Sequence, residues 1–107
     1  MATDRDDALW LTAQRSLTIV ELAETCGLPQ EVLHDLIEYG ALLPADPLAA
    51  EWVFSARCVA SVRTAARLGK DLELETPVLA LVLTFLERIE GLESELRHLN
   101  AQLQRPR

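Results

Sequence analysis

The chain has 107 residues, of which half are hydrophobic and a quarter are charged. This length fits one small domain, or a small domain with an added oligomerisation helix. The net charge is −7 and is unevenly distributed: residues 1–54 carry ten acidic and two basic side chains, whereas residues 55–107 carry seven acidic and eight basic ones. The acidic half should attract basic partners and repel the phosphates of nucleic acids.

The composition also argues against membrane insertion, metal binding and catalysis. No apolar run is long enough to span a membrane and no signal-peptide core is present, so we expect a soluble, cytoplasmic protein. Cys26 and Cys58 lack the spacing of a zinc site or of a CxxC motif, and we interpret them as small buried side chains. There is no phosphate-binding loop, nucleophile motif or HExxH sequence. The sequence therefore predicts no enzymatic activity and no cofactor.

The N-terminal segment, residues 1–16, is followed by the first clear helix. Within that segment, residues 8–13 fit a short strand and, nearly as well, a helical lead-in. Thr18 and Glu21 then have the spacing of a capping box, in which each side chain accepts a hydrogen bond from the other residue's backbone amide. Gly27 is a suitable helix terminator. We therefore predict a helix that begins after Thr18 and ends near Gly27.

A second helix is predicted between Pro29 and Gly40. Proline suits the first position of a helix and glycine its end. The buried stripe and the exposed face differ in chemistry; the exposed face carries Gln30, Glu31, His34, Asp35 and Glu38. Two helices joined by a short turn have the outline of a helix-turn-helix DNA reader, but such a helix needs cations for phosphates and donors for base edges. This one has three carboxylates and no Lys or Arg, which argues against direct DNA binding.

A wing and a third helix are predicted next. Residues 42–43 and 51–54 are expected to be two short strands joined by a loop that contains Pro44 and Pro47. We place Trp52 and Phe54 on opposite faces of the second strand, so that one lies in the core and the other is an exposed aromatic anchor. Ser55 can cap a helix from about residue 56 to residue 68, with Gly69 as its end.

The cations of this third helix form the main basic cluster of the chain, which consists of Arg57, Arg63, Arg67 and Lys70. A DNA reader could use them on phosphates. We favour pairing with Asp71, Glu73 or Glu75, or with the other subunit of a dimer.

A long helix is predicted from about residue 77 to residue 104, with Thr76 as its cap and Pro77 at its start. An apolar seam runs along it at alternating steps of three and four; it consists of Val82, Phe85, Ile89, Leu92, Leu96, Leu99 and Leu103. This heptad pattern is typical of a coiled coil. We expect residues 78–86 to be buried within the protomer and the rest of the seam to pair between subunits, in parallel or antiparallel orientation. The predicted dimerisation residues are Phe85, Ile89, Leu92, Leu96, Leu99 and Leu103.

The layout resembles that of MerR-type regulators, which combine a helix-turn-helix, a short wing, a further helix and a long coiled-coil helix. The expected leucine-arginine-tyrosine run of the reading helix is replaced here by Leu33, His34 and Asp35. The resemblance implies a mainly α fold: a winged helix-turn-helix domain over residues 17–75 with a small β wing, and a dimerisation helix over residues 76–107.

A closer resemblance, from about residue 17 to residue 104, is to the chaperone-modulator family CbpM. The matching segments are 27–31 with Leu33 and Ile37, then Gly40, Pro44, 52–54, 63–68, 71–74 and 80–81. This resemblance implies a homodimer that binds the J-domain of a DnaJ-like co-chaperone of the CbpA type and inhibits its activity. It also implies that the J-domain presents a basic helix next to the loop that engages Hsp70.

An acidic winged surface would complement such a basic helix. The candidate J-domain-binding residues are Glu21, Glu24, Glu31, Asp35, Glu38 and Trp52. Two alternatives remain open at this point. One is a MerR-type DNA-binding transcriptional regulator, which would need a basic reading helix and wing. The other is a coiled-coil adaptor that is unrelated to chaperones.

Overall fold

The computed structural model describes residues 16–104, and it is mainly helical. The chain forms strand β1 (Ser16–Thr18), helices α1 (Ile19–Cys26) and α2 (Gln30–Glu38), strand β2 (Val53–Ser55), a 3₁₀ turn (Ala56–Cys58), helix α3 (Val59–Asp71) and helix α4 (Thr76–Leu103). The predicted strand over residues 8–13 lies outside the described residues.

The helix-turn-helix begins with the predicted capping box. The amide of Glu21 donates to Thr18 Oγ1 over 3.2 Å, and the amide of Thr18 donates to Glu21 Oε1 over 2.9 Å. Gly27 ends α1 at φ 72°, a left-handed conformation that glycine adopts without steric cost, and its amide donates to the carbonyl of Ala23. Pro29 is the residue before α2, one position earlier than predicted. The prediction of two helices joined at Gly27 is confirmed.

The small sheet exists, but its pairing differs from the prediction. β2 pairs antiparallel with β1, with Leu17 opposite Phe54, and not with residues 42–43. The amides of Ala41 and Leu42 instead donate to the carbonyl of Leu36 and close the end of α2. Because these amides are used by the helix terminus and Leu42 is buried, this segment is not available as a strand. The polypeptide between α2 and β2 is therefore an irregular wing loop.

Trp52 and Phe54 do not lie on opposite faces, and that prediction was wrong. Side chains alternate along a strand, so residues two apart point to the same side. Phe54 is fully buried in the core, and Trp52 is half-buried at its edge, where it packs against the same cluster. Trp52 therefore packs against the core with one part of its side chain and is exposed at the wing loop with the rest.

Helices α3 and α4 pack on each other and close the core. Ser55 Oγ accepts from the amide of Arg57, as predicted, but the cap opens a 3₁₀ turn before α3. Gly69 does not end α3, which continues to Asp71. A Cβ at Gly69 would lie 3.0 Å from Leu79 Cδ1, so the glycine allows α4 to approach. Glu75, not Thr76, precedes the first residue of α4.

One core unites these elements. Its largest fully buried side chains come from α1, α2, β2, α3 and α4, and they are Leu22, Leu33, Leu36, Phe54, Val62 and Leu83. Leu79 and Ala80 of α4 belong to the same cluster. The proposed boundary at residues 75 and 76 therefore separates a domain from a helix whose first turns are part of that domain's core.

Candidate functional site

The exposed face of α2 carries three carboxylates, which we call the acidic face: Glu31, Asp35 and Glu38. All three side chains are exposed, and none forms an ion pair with a basic residue among residues 16–104. They recur at spacings of three and four, which place them on one side of an α-helix. The charge of this face is therefore not paired by the basic side chains of residues 16–104, and it suits a cationic partner.

Trp52 adjoins this face through His34. The ring centroids of His34 and Trp52 are 6.1 Å apart, with an angle of 44° between the ring planes. Trp52 Nε1 also donates to the carbonyl of Pro47 over 3.2 Å, which fixes the indole against the wing loop. The indole is thus held in place by the wing loop and the core rather than projecting freely.

An open groove of about 460 Å³ lies between the start of α1, the wing loop and His34. We call it the wing groove, and it is lined by Thr18, Ile19, Val20, His34, Ala50, Glu51 and Trp52. Val20 is 46% exposed although it is a branched apolar residue. The wing groove therefore offers an apolar floor, and α2 contributes His34 to its lining.

The other two acidic candidates have different surroundings. The Glu21 carboxylate accepts the amide of Thr18 in the capping box, so it has a structural role. Glu24 lines a different groove of about 680 Å³ between the end of α1 and the outer face of α3. Neither residue lines the wing groove.

That second groove contains most of the basic cluster. Arg63, Arg67 and Lys70 line it at spacings of four and three along α3, whereas Arg57 lies on another surface, near Glu87. None of these four side chains pairs with Asp71, Glu73 or Glu75 in the described protomer. The expected pairing within the chain is therefore wrong, and pairing with a second subunit stays a prediction.

Both cysteines are free thiols. Cys26 Sγ is 3.9 Å from the carbonyl oxygen of Val59, and burial raises the pKa of its thiol. Burial, with a smaller contribution from Glu87, raises the pKa of Cys58 to about 12. These thiols are protonated at neutral pH. A cysteine acts as a nucleophile or a metal ligand only as the thiolate. Across residues 16–104, no group of three His, Cys, Asp or Glu side chains is arranged to hold a metal ion.

The apolar seam of α4 is largely exposed. Phe85 is 58% exposed, Ile89 51% and Leu96 60%, and Leu92, Leu99 and Leu103 are also exposed. The expectation that residues 78–86 are buried within the protomer is wrong in part: Leu79, Ala80 and Leu83 face the core, whereas Val78, Leu81 and Phe85 face outward. Val82 is half-buried against the core. The exposed seam therefore continues towards the start of α4 through Leu81 and Val78.

None of the described helices combines the length and the hydrophobicity that crossing a membrane would require.

Known proteins are similar to this chain in sequence. A family model described as "MerR HTH family regulatory protein" matches residues 17–101. The chaperone modulatory protein CbpM of Coxiella burnetii (strain Dugway 5J108-111) is 32% identical over 83 residues, which cover 78% of each chain. The chain belongs to the CbpM family, within the MerR-like helix-turn-helix proteins.

Two further relatives, both named chaperone modulatory protein CbpM, support this assignment. That of Citrobacter koseri is 32% identical over 90 residues, which cover 84% of this chain and 89% of the relative. That of Salmonella arizonae is 33% identical over the same shares. The names of these relatives indicate chaperone modulation rather than catalysis.

The sequence analysis missed the outward-facing residues Val20, Val78 and Leu81. Val20 lies off the apolar face that Ile19, Leu22 and Ala23 form, and an apolar side chain on the polar side of an amphipathic helix was the signal that could have found it.

Proposed function

We propose that this CbpM-family protein is an inhibitory modulator of a DnaJ-like co-chaperone of the CbpA type, and that it binds the J-domain through the acidic face of α2. The observation that carries the proposal is the charge of the helix. A MerR-like fold normally presents this helix to phosphates, yet here its exposed side carries Glu31, Asp35 and Glu38 without paired cations.

The basic helix that the family resemblance implies for the J-domain is the complement of such a surface. Exposed, unpaired carboxylates steer a cationic partner over distances of about one Debye length, roughly 8–10 Å at physiological salt. They also disfavour nucleic acid as a competitor. The acidic face therefore favours a basic polypeptide as its ligand.

Occlusion explains inhibition without any chemical step. The implied basic helix of the J-domain adjoins the loop that engages Hsp70. A bound modulator on that helix would cover the contact surface, so Hsp70 and the modulator would compete for the same face. Trp52, half-buried beside His34, is positioned to extend this contact from α2 to the wing loop.

The protein is further proposed to act as a homodimer through the seam of α4. Phe85, Ile89, Leu92, Leu96, Leu99 and Leu103 are exposed in the protomer and follow a heptad spacing. A stripe of this kind is costly in water, at about 25 cal/mol for each Å² of apolar surface left uncovered. A second copy of the same helix covers it with the same periodicity.

Charge reversal on the acidic face tests the binding proposal. The double variant Asp35→Lys, Glu38→Lys should slow association with the J-domain and raise the Kd by about tenfold or more, because close charge pairs at an interface contribute about 1.5 kcal/mol or more. Surface plasmon resonance at several salt concentrations would measure the rate and its salt dependence, which should flatten.

The control is Glu90→Lys on the far part of α4. This substitution changes the charge by two units, half of the change in the double variant, and it removes a long, exposed ion pair with Arg97 (3.8 Å), which contributes little. The control should retain most of the affinity. If the double variant associates at the wild-type rate with the wild-type salt dependence, the acidic face is not the binding site.

DNA binding is the competing function, because the matching family model is that of regulatory helix-turn-helix proteins. The acidic face opposes it. Tight, strongly salt-dependent binding of duplex DNA in a band-shift experiment at low salt would contradict the proposed function.

A further inference from the structure

We infer that the wing groove is an apolar socket, and that it selects an amphipathic basic helix over other cationic surfaces. The bound helix places one aliphatic side chain in the groove while its Lys or Arg side chains face the acidic face. This inference deepens the proposed function, because it assigns a specificity determinant to the same surface.

The composition of the groove supports an apolar occupant. Its floor combines Val20 and Ile19 from the start of α1 with the indole of Trp52. Val20 is 46% exposed in the protomer, so an incoming side chain can remove its remaining surface from water. The Trp52 indole is already held by the carbonyl of Pro47 and packs against the core, so little conformational entropy is lost when it is covered.

The placement of His34 connects the groove to the carboxylates. His34 lines the groove, and on α2 it lies three residues after Glu31 and four before Glu38. Residues at these spacings share one side of a helix, about one turn or 5–6 Å apart. His34, at the edge of the groove, and the charges are therefore about one helical turn apart, which is the distance between side chains at positions i and i+3 or i+4 of a partner helix.

The acidic side chains around the groove favour a positively charged partner. Glu51 lines the groove itself, and Glu31 and Glu38 lie about one helical turn from His34 at its edge. A second copy of this chain, with its net charge of −7, would bring the same carboxylates to the contact and be repelled. A helix that carries cations around an aliphatic side chain can pair with these carboxylates and also cover the apolar floor of the groove.

A double-mutant cycle with defined peptides tests the inference. The first probe is a synthetic helical peptide of Lys and Leu with one leucine on its binding side, and the second is the same peptide with that leucine replaced by serine. The wild-type protein should bind the leucine peptide about fivefold to tenfold more tightly. In Val20→Ser this preference should be lost, because the partner side chain no longer meets an apolar floor.

The control is Leu72→Ser, which removes an exposed apolar side chain that does not line the wing groove. It should retain the wild-type preference. Isothermal titration calorimetry would give the four affinities of the cycle. Equal preference for the leucine peptide in wild type and Val20→Ser overturns the inference.

Failure of the inference and failure of the proposed function have different results. If a J-domain does not bind but the peptide cycle shows coupling, the socket exists and the partner is another basic helix. If the J-domain binds and Val20→Ser leaves its Kd unchanged, binding rests on charge alone and the socket is excluded.

Discussion

The long helix α4 has two regions that both carry apolar side chains but have opposite surroundings. In the first region, Leu79, Ala80 and Leu83 are buried in the core against α3 and the helix-turn-helix. In the second region, Ile89, Leu92 and Leu96 are about half exposed or more. A heptad pattern therefore identifies an apolar stripe on a helix, but it does not identify the element that covers that stripe.

Substitution in the exposed seam of the second region should have the largest effect, which is on dimerisation. Leu96→Asp should prevent dimerisation, because each subunit would bring an unpaired carboxylate into an apolar contact at a cost of several kcal/mol. We expect the dimer dissociation constant to rise by about 100-fold or more. Sedimentation velocity over a range of protein concentrations would measure it.

Leu83→Ala is the matched change in the first region. Deleting a fully buried leucine should cost about 2–5 kcal/mol of the free energy of unfolding, whatever the protein concentration. If Leu96→Asp also destabilises the protein without altering its association state, the seam packs within the protomer and the proposed dimer is wrong.

Alanine substitutions at two glycines should have smaller effects on the free energy of unfolding. Gly91 lies in the interior of α4 with open space around it, so Gly91→Ala should raise the free energy of unfolding by about 0.5–1 kcal/mol. At Gly69 of α3 a Cβ would meet Leu79 at 3.0 Å, so the same substitution should give no gain or a loss. Urea denaturation measures both, and an equal gain in the two variants would contradict the close approach of α3 and α4.

The smallest expected effect concerns Glu87, at the junction of the two regions. Burial, with a smaller contribution from Glu90, raises the pKa of the Glu87 carboxyl. A carboxyl whose pKa is higher in the folded state stabilises the protein most below its unfolded pKa of about 4.3, and this stability is lost as the pH rises through the folded pKa.

Glu87→Gln should therefore raise the free energy of unfolding slightly at pH 7. Between pH 4 and 7 it should also remove the part of the loss of stability that ionisation of Glu87 causes. Urea denaturation across that range measures the change. Glu73→Gln removes an exposed carboxylate and should leave the decline unchanged. A steeper decline in Glu87→Gln would show that its ionised form is stabilised by the fold.

Local patterns in the sequence predicted most helix boundaries and the character of α2. The capping box at Thr18 and Glu21, the left-handed Gly27 and the charges of Glu31, Asp35 and Glu38 depend on residues within one or two helical turns. Physical effects of such short range can be predicted from a single chain. The same reasoning fails at Gly69, where the neighbour that requires a glycine comes from α4.

The helical class, the acidity of α2 and the apolar stripe on α4 are properties of adjacent residues, so they could be predicted from the chain alone. The tertiary structure was needed to show that β2 pairs with β1, that Glu24 lines a groove with cations of α3, and that Val20 and Trp52 line one groove with His34. These are contacts between segments distant along the chain, and the packing of the whole core selects them.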